Sequence, residues 1–148
     1  MLPNFTYFIR RLSVKLASEP LVTNQIEVHP FIAQDKLLAA CRTLGLSVTA
    51  YCPLARGKAP GNDILARIGK AHGKTAAQIA LRYLVQQGII PIPRTAKVDQ
   101  LAANLAVFDF NLSDAQMAEI ARLKQTGPRR QSAARAALGR MKSCRCRL

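Results

Sequence analysis

Acid is what this 148-residue chain has least of among its charged groups: 8 Asp plus Glu stand against 22 Lys plus Arg, a formal charge of +14. Tryptophan is absent, and there are only two histidines. Long apolar runs are missing as well. The compact stretch Gly88 to Pro93 (GIIPIP) is bounded by Gln87 and Arg94, well short of the about 18 consecutive apolar residues of a membrane span. No Gly-x-Gly-x-x-Gly and no P-loop occurs, so Rossmann and nucleotide-hydrolase readings have no motif behind them. The four cysteines do not make a disulfide framework. Cys41 and Cys52 lie among apolar neighbours and read as buried small hydrophobes. Cys144 and Cys146 form a C-x-C with no second ligand pair at zinc spacing and no nearby His. What the chain does have is 49% hydrophobic residues, globular rather than disordered in composition, in a length that suits one domain.

A charge this high points to an acidic partner until its location is known. Residues 124–148 hold Lys124, Arg129, Arg130, Arg135, Arg140, Lys142, Arg145 and Arg147 and no acid, which is +8 in 25 residues. Residues 1–19 carry +2, and the middle, 20–123, only +4. The extreme basicity therefore belongs to a tail, and such a tail is expected to be a disordered appendage. The acid-free residues 1–18, with Arg10 and Arg11, vaguely resemble a mitochondrial transit peptide. A secretory signal fits worse, because the arginines interrupt the apolar run. The expected location is cytoplasmic.

Between Pro20 and Leu123 strand-like and helix-like segments alternate. Leu21 to Val28 is short and β-branched and ends at His29-Pro30. Gln34 to Leu44 carries an apolar stripe of Leu37, Leu38, Cys41 and Leu44 and stops at Gly45. Leu46 to Cys52 is the next strand, closed by Pro53. A loop over Leu54 to Gly61 leads to a helix over Asp63 to Ala71. Thr75-Ala-Ala-Gln78 is a capping box that opens a helix ending at Gly88, and Ile89 to Ile92 is a third strand. A helix is expected from Thr95 through Leu101 and Leu105. Ser113-Asp-Ala-Gln116 is a second capping box, whose helix presents Met117, Ile120 and Leu123. Repeated strand–helix units of this kind make a parallel sheet, and ligands then bind at the C-terminal strand ends. Those ends offer Asn24, Gln25 and Glu27; Tyr51 and Cys52; Arg94 and Thr95.

Val22-Thr-Asn-Gln-Ile-Glu-Val-His-Pro30, Val48-Thr-Ala-Tyr-Cys-Pro-Leu-Ala-Arg-Gly57 and Ile90-Pro-Ile-Pro-Arg-Thr95 resemble three late strands of an aldo/keto reductase. Leu101-Ala-Ala-Asn104 and Val107-Phe-Asp-Phe-Asn-Leu-Ser113 continue the match, which is most like bacterial 2,5-diketo-D-gluconate reductases. The resemblance covers about residues 15 to 123, in matching order and spacing. It implies an α/β chain forming part of a (β/α)8 TIM barrel, about its last three β/α units, where a complete barrel takes ~250 residues. Residues 1–19 then read as a divergent remnant of the helix after strand five, 20–123 as the C-terminal part of the barrel, and 124–148 as a basic tail. Tyr7 to Ser13 and the tail share an Arg-rich, acid-free character outside the pattern, as shifted reading frames in a truncated gene would produce.

The resemblance also implies a cofactor, NADPH, and places its contacts. Asn4 and Gln25 match the positions that hydrogen-bond the nicotinamide carboxamide. Tyr51 matches the residue stacked on the nicotinamide face, where a flat aromatic orients the ring. Cys52, Leu54 and Arg56 match the loop over the pyrophosphate. Arg94 and Thr95 match the pair gripping the adenosine 2′-phosphate, a charged donor beside a hydroxyl at a helix N-terminus. Asn104 matches an adenine contact. Gln100 departs from the family, which usually has a second Arg there. Taken singly these residues also have bland readings: Tyr51 as a packed strand-end aromatic, Arg94 as a solvated charge, Asn24 and Gln25 as partners of local backbone. His29 reads as structural, and His72 as an exposed helix-end residue.

The resemblance implies reduction of small aldehydes or keto sugar acids to alcohols. The reaction needs a Tyr acid tuned by Lys and Asp, with a His orienting the substrate, and no residue here matches those four. A tyrosine of pKa ~10 needs such neighbours to act as an acid near neutrality. The chain alone is expected to be inactive. Three parallel strands should also expose hydrogen-bonding edges and an apolar inner face, so self-association or a complementary barrel fragment is expected. The alternative is a small binding module that uses its basic tail on nucleic acid or acidic surfaces. It lacks interleaved aromatics for base stacking, and neither nucleic acid nor a membrane is the expected partner.

Overall fold

The computed structural model describes residues 15–124. Asn4, Tyr7 to Ser13 and the basic tail from residue 125 onward lie outside the described residues. Three strands, β1 (Thr23–Glu27), β2 (Ser47–Tyr51) and β3 (Ile89–Pro91), form a parallel sheet in the order β1-β2-β3. Thr23 pairs with Ser47 and Glu27 with Tyr51; Val48 pairs with Ile89 and Ala50 with Pro91. Each new strand is added beside the last, with no reversal of order, as in a barrel wall. Helix α1 (Asp35–Thr43) joins β1 to β2. A 3₁₀ turn (Ala55–Gly57), α2 (Asp63–His72) and α3 (Ala76–Val85) join β2 to β3. Two helices follow, α4 (Val98–Leu105) and α5 (Asp114–Ala121).

Alternation along the strands divides the sheet into two unlike faces. Ile26, Val28, Val48, Ala50 and Ile89 point to the helix side and pack with Leu37, Leu38 and Cys41 of α1 and Ile79, Ala80, Tyr83 and Leu84 of α3. Leu65, Ile68, Leu112 and Ile120 extend the same core. Fully burying a side chain of this size stabilises by about 1.5–3 kcal/mol, so this face carries the fold. The opposite face presents Thr23, Gln25, Glu27, Ser47, Thr49 and Tyr51, with Ile90 and Ile92 as its two aliphatic residues. The Thr23 and Thr49 hydroxyls lie 3.1 Å apart across the strands. The expectation of an apolar inner face is therefore corrected. Ile90 is 55% exposed, but most of the face is hydroxyl, amide and carboxylate.

Capping explains where the helices start. Asn62, Thr75 and Ser113 accept from the backbone N–H three residues on, and both capping boxes read from the sequence form. The helix expected from Thr95 begins three residues later, because the Thr95 hydroxyl accepts the Lys97 N–H at 3.1 Å and closes a turn first. Glutamine amides tie loops to this frame. Gln34, buried, donates to the Glu27 carbonyl at 3.0 Å, and Gln78 donates to the Ala103 carbonyl at 3.0 Å. Gln86 accepts the Leu112 N–H at 2.8 Å and donates to the Leu112 carbonyl at 3.1 Å.

Candidate functional site

The C-terminal strand ends gather most of the residues singled out from the sequence. Gln25 lies exposed on the polar face of β1, paired with Thr49. Tyr51, at the end of β2 on the same face, is 38% exposed and is paired with Glu27. Its ring is thus available to a flat partner rather than packed into the core. Asn24 faces the other way and donates to the Cys41 thiol at 3.3 Å, so of the two neighbouring amides only Gln25 belongs to the polar face.

Directly after Tyr51 the chain turns through an unusual backbone. Cys52, Ala55 and Arg56 have φ of 52°, 52° and 55°, the left-handed region in which side-chain-bearing residues are strained. The turn folds back over the strand end: the Ala55 N–H donates to the Cys52 carbonyl at 2.9 Å, and the Ala59 N–H to the Leu54 carbonyl at 3.2 Å. Cys52 and Leu54 are half-buried, Ala55 and Ala59 are buried, and Arg56 is exposed. Cys52 therefore departs from the buried hydrophobe expected of it, whereas Cys41 is 1% exposed. The arrangement presents an exposed guanidinium beside the Tyr51 end of β2.

Beyond β3 the Ile92 N–H still donates to the Ala50 carbonyl at 3.0 Å, carrying Pro93, Arg94 and Thr95 past the same end of the sheet. Arg94 is exposed and makes no ion pair among the described residues. Thr95 is half-buried, and its hydroxyl donates to Gln100 Oε1 at 2.7 Å. Helix α4 starts here without a side-chain cap, so the free N–H groups of its first turn face the Arg94–Thr95 turn, a favourable place for an anion. Asn104 is separated from this cluster. It is half-buried on the last turn of α4 and lines a cleft of about 550 Å³ beside β3 with Leu81, Ile90, Leu101, Leu105 and Phe108.

Two titratable groups depart from ordinary behaviour. Burial pushes the His29 imidazole below its usual 6.5, against the opposing pull of Glu27. His29 Nδ1 accepts the Phe31 N–H at 3.2 Å, and Nε2 lies 3.8 Å from Glu27 Oε1, so this histidine braces the exit of β1. Burial likewise raises the Tyr83 phenol above 10.0. His72 is not free in solvent as expected: it is half-buried, with Nε2 3.0 Å from Gln116 Oε1 and its ring 5.4 Å from that of Phe110. Among the described residues no group of His, Cys, Asp and Glu could hold a metal ion, and no helix is long and apolar enough to cross a membrane.

The parallel order of the strands is consistent with what comparison with known proteins finds. The model of the aldo/keto reductase family matches residues 9–125. The chain belongs to that family. Among curated relatives, morphine 6-dehydrogenase of Pseudomonas putida is 40% identical over 119 residues, covering 72% of this chain and 40% of that enzyme. Glyoxal reductase of Bacillus subtilis is 36% identical over 102 residues, covering 69% of this chain and 37% of that enzyme. Among solved structures, a candidate 2,5-diketo-D-gluconic acid reductase B superposes with a TM-score of 0.80 at 41% identity, covering 85% of this chain and 47% of the other. A variant of Gox0644 in complex with NADPH superposes with a TM-score of 0.74 at 29% identity, covering 82% of this chain and 44% of the other. The chain thus spans about two-fifths of the length of these curated relatives, and its three-stranded parallel sheet is consistent with part of the family's (β/α)8 barrel.

Proposed function

We propose that this chain supplies the cofactor-holding part of an NADP(H)-dependent aldo/keto reductase that reduces small aldehydes or keto sugar acids. In this reading Gln25, together with Asn4 outside the described residues, takes the carboxamide of the nicotinamide, and Tyr51 stacks on its ring. Cys52, Leu54 and Arg56 cover the pyrophosphate, Arg94 and Thr95 hold the adenosine phosphate, and Asn104 meets the adenine. The observation that carries the reading is the common placement of exposed Tyr51, the left-handed turn with Arg56 and the Arg94–Thr95 turn at one end of the sheet, with Gln25 on the same polar face in the middle of β1. The complex of the related Gox0644 variant with NADPH is further support. Bound there, the nicotinamide would supply hydride, while these side chains fix which face of the ring meets the substrate.

The acid chemistry is a separate requirement. Delivering hydride to a carbonyl carbon needs a proton at its oxygen, and none of the described tyrosines is placed to give it. Tyr83 is buried between helix and sheet with its pKa raised, and Tyr51 has the stacking role. The chain alone is therefore expected to bind the cofactor without turning it over. Titration calorimetry with NADPH, run beside an absorbance assay with methylglyoxal, tests both halves. Binding that Tyr51→Ala weakens about tenfold, with no turnover, is the expected result. Oxidation of NADPH by the purified chain, or affinity indifferent to Tyr51, would overturn it. The alternative of a nucleic-acid-binding tail falls on residues outside the described ones and gains no support.

A further inference from the structure

We infer that Glu27 biases the site between the two redox forms of the cofactor: its carboxylate favours the oxidised nicotinamide, whose ring is cationic, over the neutral reduced ring. The inference rests on the cofactor-holding role proposed above. The decisive observation is where Glu27 stands. It follows Gln25 by two residues on β1, and its register partner across the sheet is Tyr51. Alternation along the strands puts all three side chains on the open face. The two groups assigned to the nicotinamide, an amide and an aromatic ring, therefore both adjoin this carboxylate. Its side chain is 27% exposed, open enough to meet a ligand and shielded enough to weaken screening by salt.

No lysine or arginine neutralises it. Asp35, Asp109 and Glu119 pair with Lys124, Lys74 and Arg67. Asp63, Asp99 and Asp114 sit in the first turns of helices, where the dipole favours an anion. Glu27 has neither arrangement. Among the described residues its one ion-pair contact is His29, with Nε2 3.8 Å from Oε1. Burial holds that imidazole below its usual 6.5, so near neutral pH it is mostly uncharged. Its Nδ1 accepts the Phe31 N–H, which leaves the ring proton on Nε2, toward the carboxylate. His29 thus steers Glu27 without cancelling its charge. A negative charge beside the ring attracts it when it is cationic and gains nothing when it is neutral. Lys58 and Arg56, exposed on the turn after β2, and Arg94 beyond β3 face phosphates that both forms carry, so they drop out of the ratio of the two affinities. Holding the oxidised form more tightly makes the bound reduced form the stronger hydride donor.

Calorimetric titration of the full chain with NADP⁺ and with NADPH, near neutral pH and at constant low ionic strength, tests this. The unmodified chain should bind NADP⁺ at least as tightly as NADPH. Glu27→Gln should lower the ratio of the NADPH to the NADP⁺ dissociation constant about five- to tenfold, chiefly by weakening NADP⁺. Glu27→Asp, which keeps the charge, should stay within about threefold of the unmodified ratio. Glu19→Gln removes an equal charge at an exposed position before the start of β1 and should leave the ratio within about twofold. Unchanged circular dichroism is expected of all three variants. An unmodified chain that prefers NADPH by more than about threefold, or a ratio that Glu27→Gln moves no further than Glu19→Gln does, overturns the inference and leaves the cofactor reading standing. Failure of both forms to bind takes down that reading and the inference with it.

Discussion

Helices α3 and α4 line two sides of the same cleft beside β3, yet they are held in opposite ways. Seven of the ten residues of α3 are buried, and none of the eight of α4. Helix α3 opens with a complete capping box, whereas α4 has no side-chain cap. Leu105 is 65% exposed and Phe108, just past α4, is 67%. The difference teaches that helix formation and helix anchoring are separate problems here. Both segments have apolar residues at helical spacing, but only the stripe of α3 meets the sheet. Helix α4 leans on α3 through the Gln78 amide on the Ala103 carbonyl, and its apolar side opens on the cleft.

That contrast can be broken by substitution. Leu84→Ala on α3, fully buried, should cost about 2–5 kcal/mol, enough to abolish a cooperative thermal transition in a domain of this size. Leu101→Ala on α4, 55% exposed, should stay within about 0.5 kcal/mol. Equal losses in chemical denaturation would mean that α4 is as firmly seated as α3. Gly69→Ala tests the joint between α2 and α3. A methyl group there would stand 2.4 Å from the Lys74 carbonyl oxygen, which is backbone and has little room to yield. A loss of about 1–3 kcal/mol is expected from such overpacking.

Smaller effects sharpen the picture. Thr75→Ala removes the cap of α3 and should cost about 1 kcal/mol, with faster amide exchange in the first turn of α3. Gln78→Ala should in addition speed exchange in the last turn of α4. Should exchange in α4 stay unchanged, the Gln78 tie does not hold it. The pH dependence assigned to His29 is the smallest effect. Its folded pKa lies below the unfolded 6.5, so the unfolded chain binds the extra proton first. Stability is whole above pH 6.5 and falls as the pH drops through the lowered folded value. His29→Gln should flatten that part of a stability-against-pH curve, and an unchanged slope would assign the dependence elsewhere.

Much of the architecture was legible because the signals were local. The two Ser/Thr-x-x-Gln boxes fixed the starts of α3 and α5, and the strand ends before Pro30 and Pro53 put Tyr51 at a ligand-facing edge. Helix α4 starts three residues after Thr95, where the sequence places its start, because the Thr95 hydroxyl accepts the Lys97 N–H in a turn that precedes the helix. The polar character of the open face was visible in Thr23, Gln25, Glu27, Ser47 and Thr49, but only the register identifies these as one face. Asn24 and Gln25 could not be told apart until the pleat sent one amide to Cys41 and the other to the open face. The roles of Gln34, Gln78 and Gln86 carry no sequence signal beyond the capping box, since an amide can bond any backbone group within reach. Their partners lie up to 26 residues away.

The left-handed turn after β2 has a consequence for how this protein could be improved. An L-residue in that conformation costs about 1–2 kcal/mol relative to the ordinary helical region, and Arg56 incurs that cost at an exposed position, where glycine would sit unstrained. Arg56→Gly relieves the strain without emptying any packed space, although glycine also loosens the unfolded chain. The same substitution deletes the guanidinium assigned to the pyrophosphate. Selection for thermal robustness alone would therefore erode this position, and selection for cofactor affinity would keep it, so the residue found at 56 in a laboratory-evolved pool reports which of the two pressures acted.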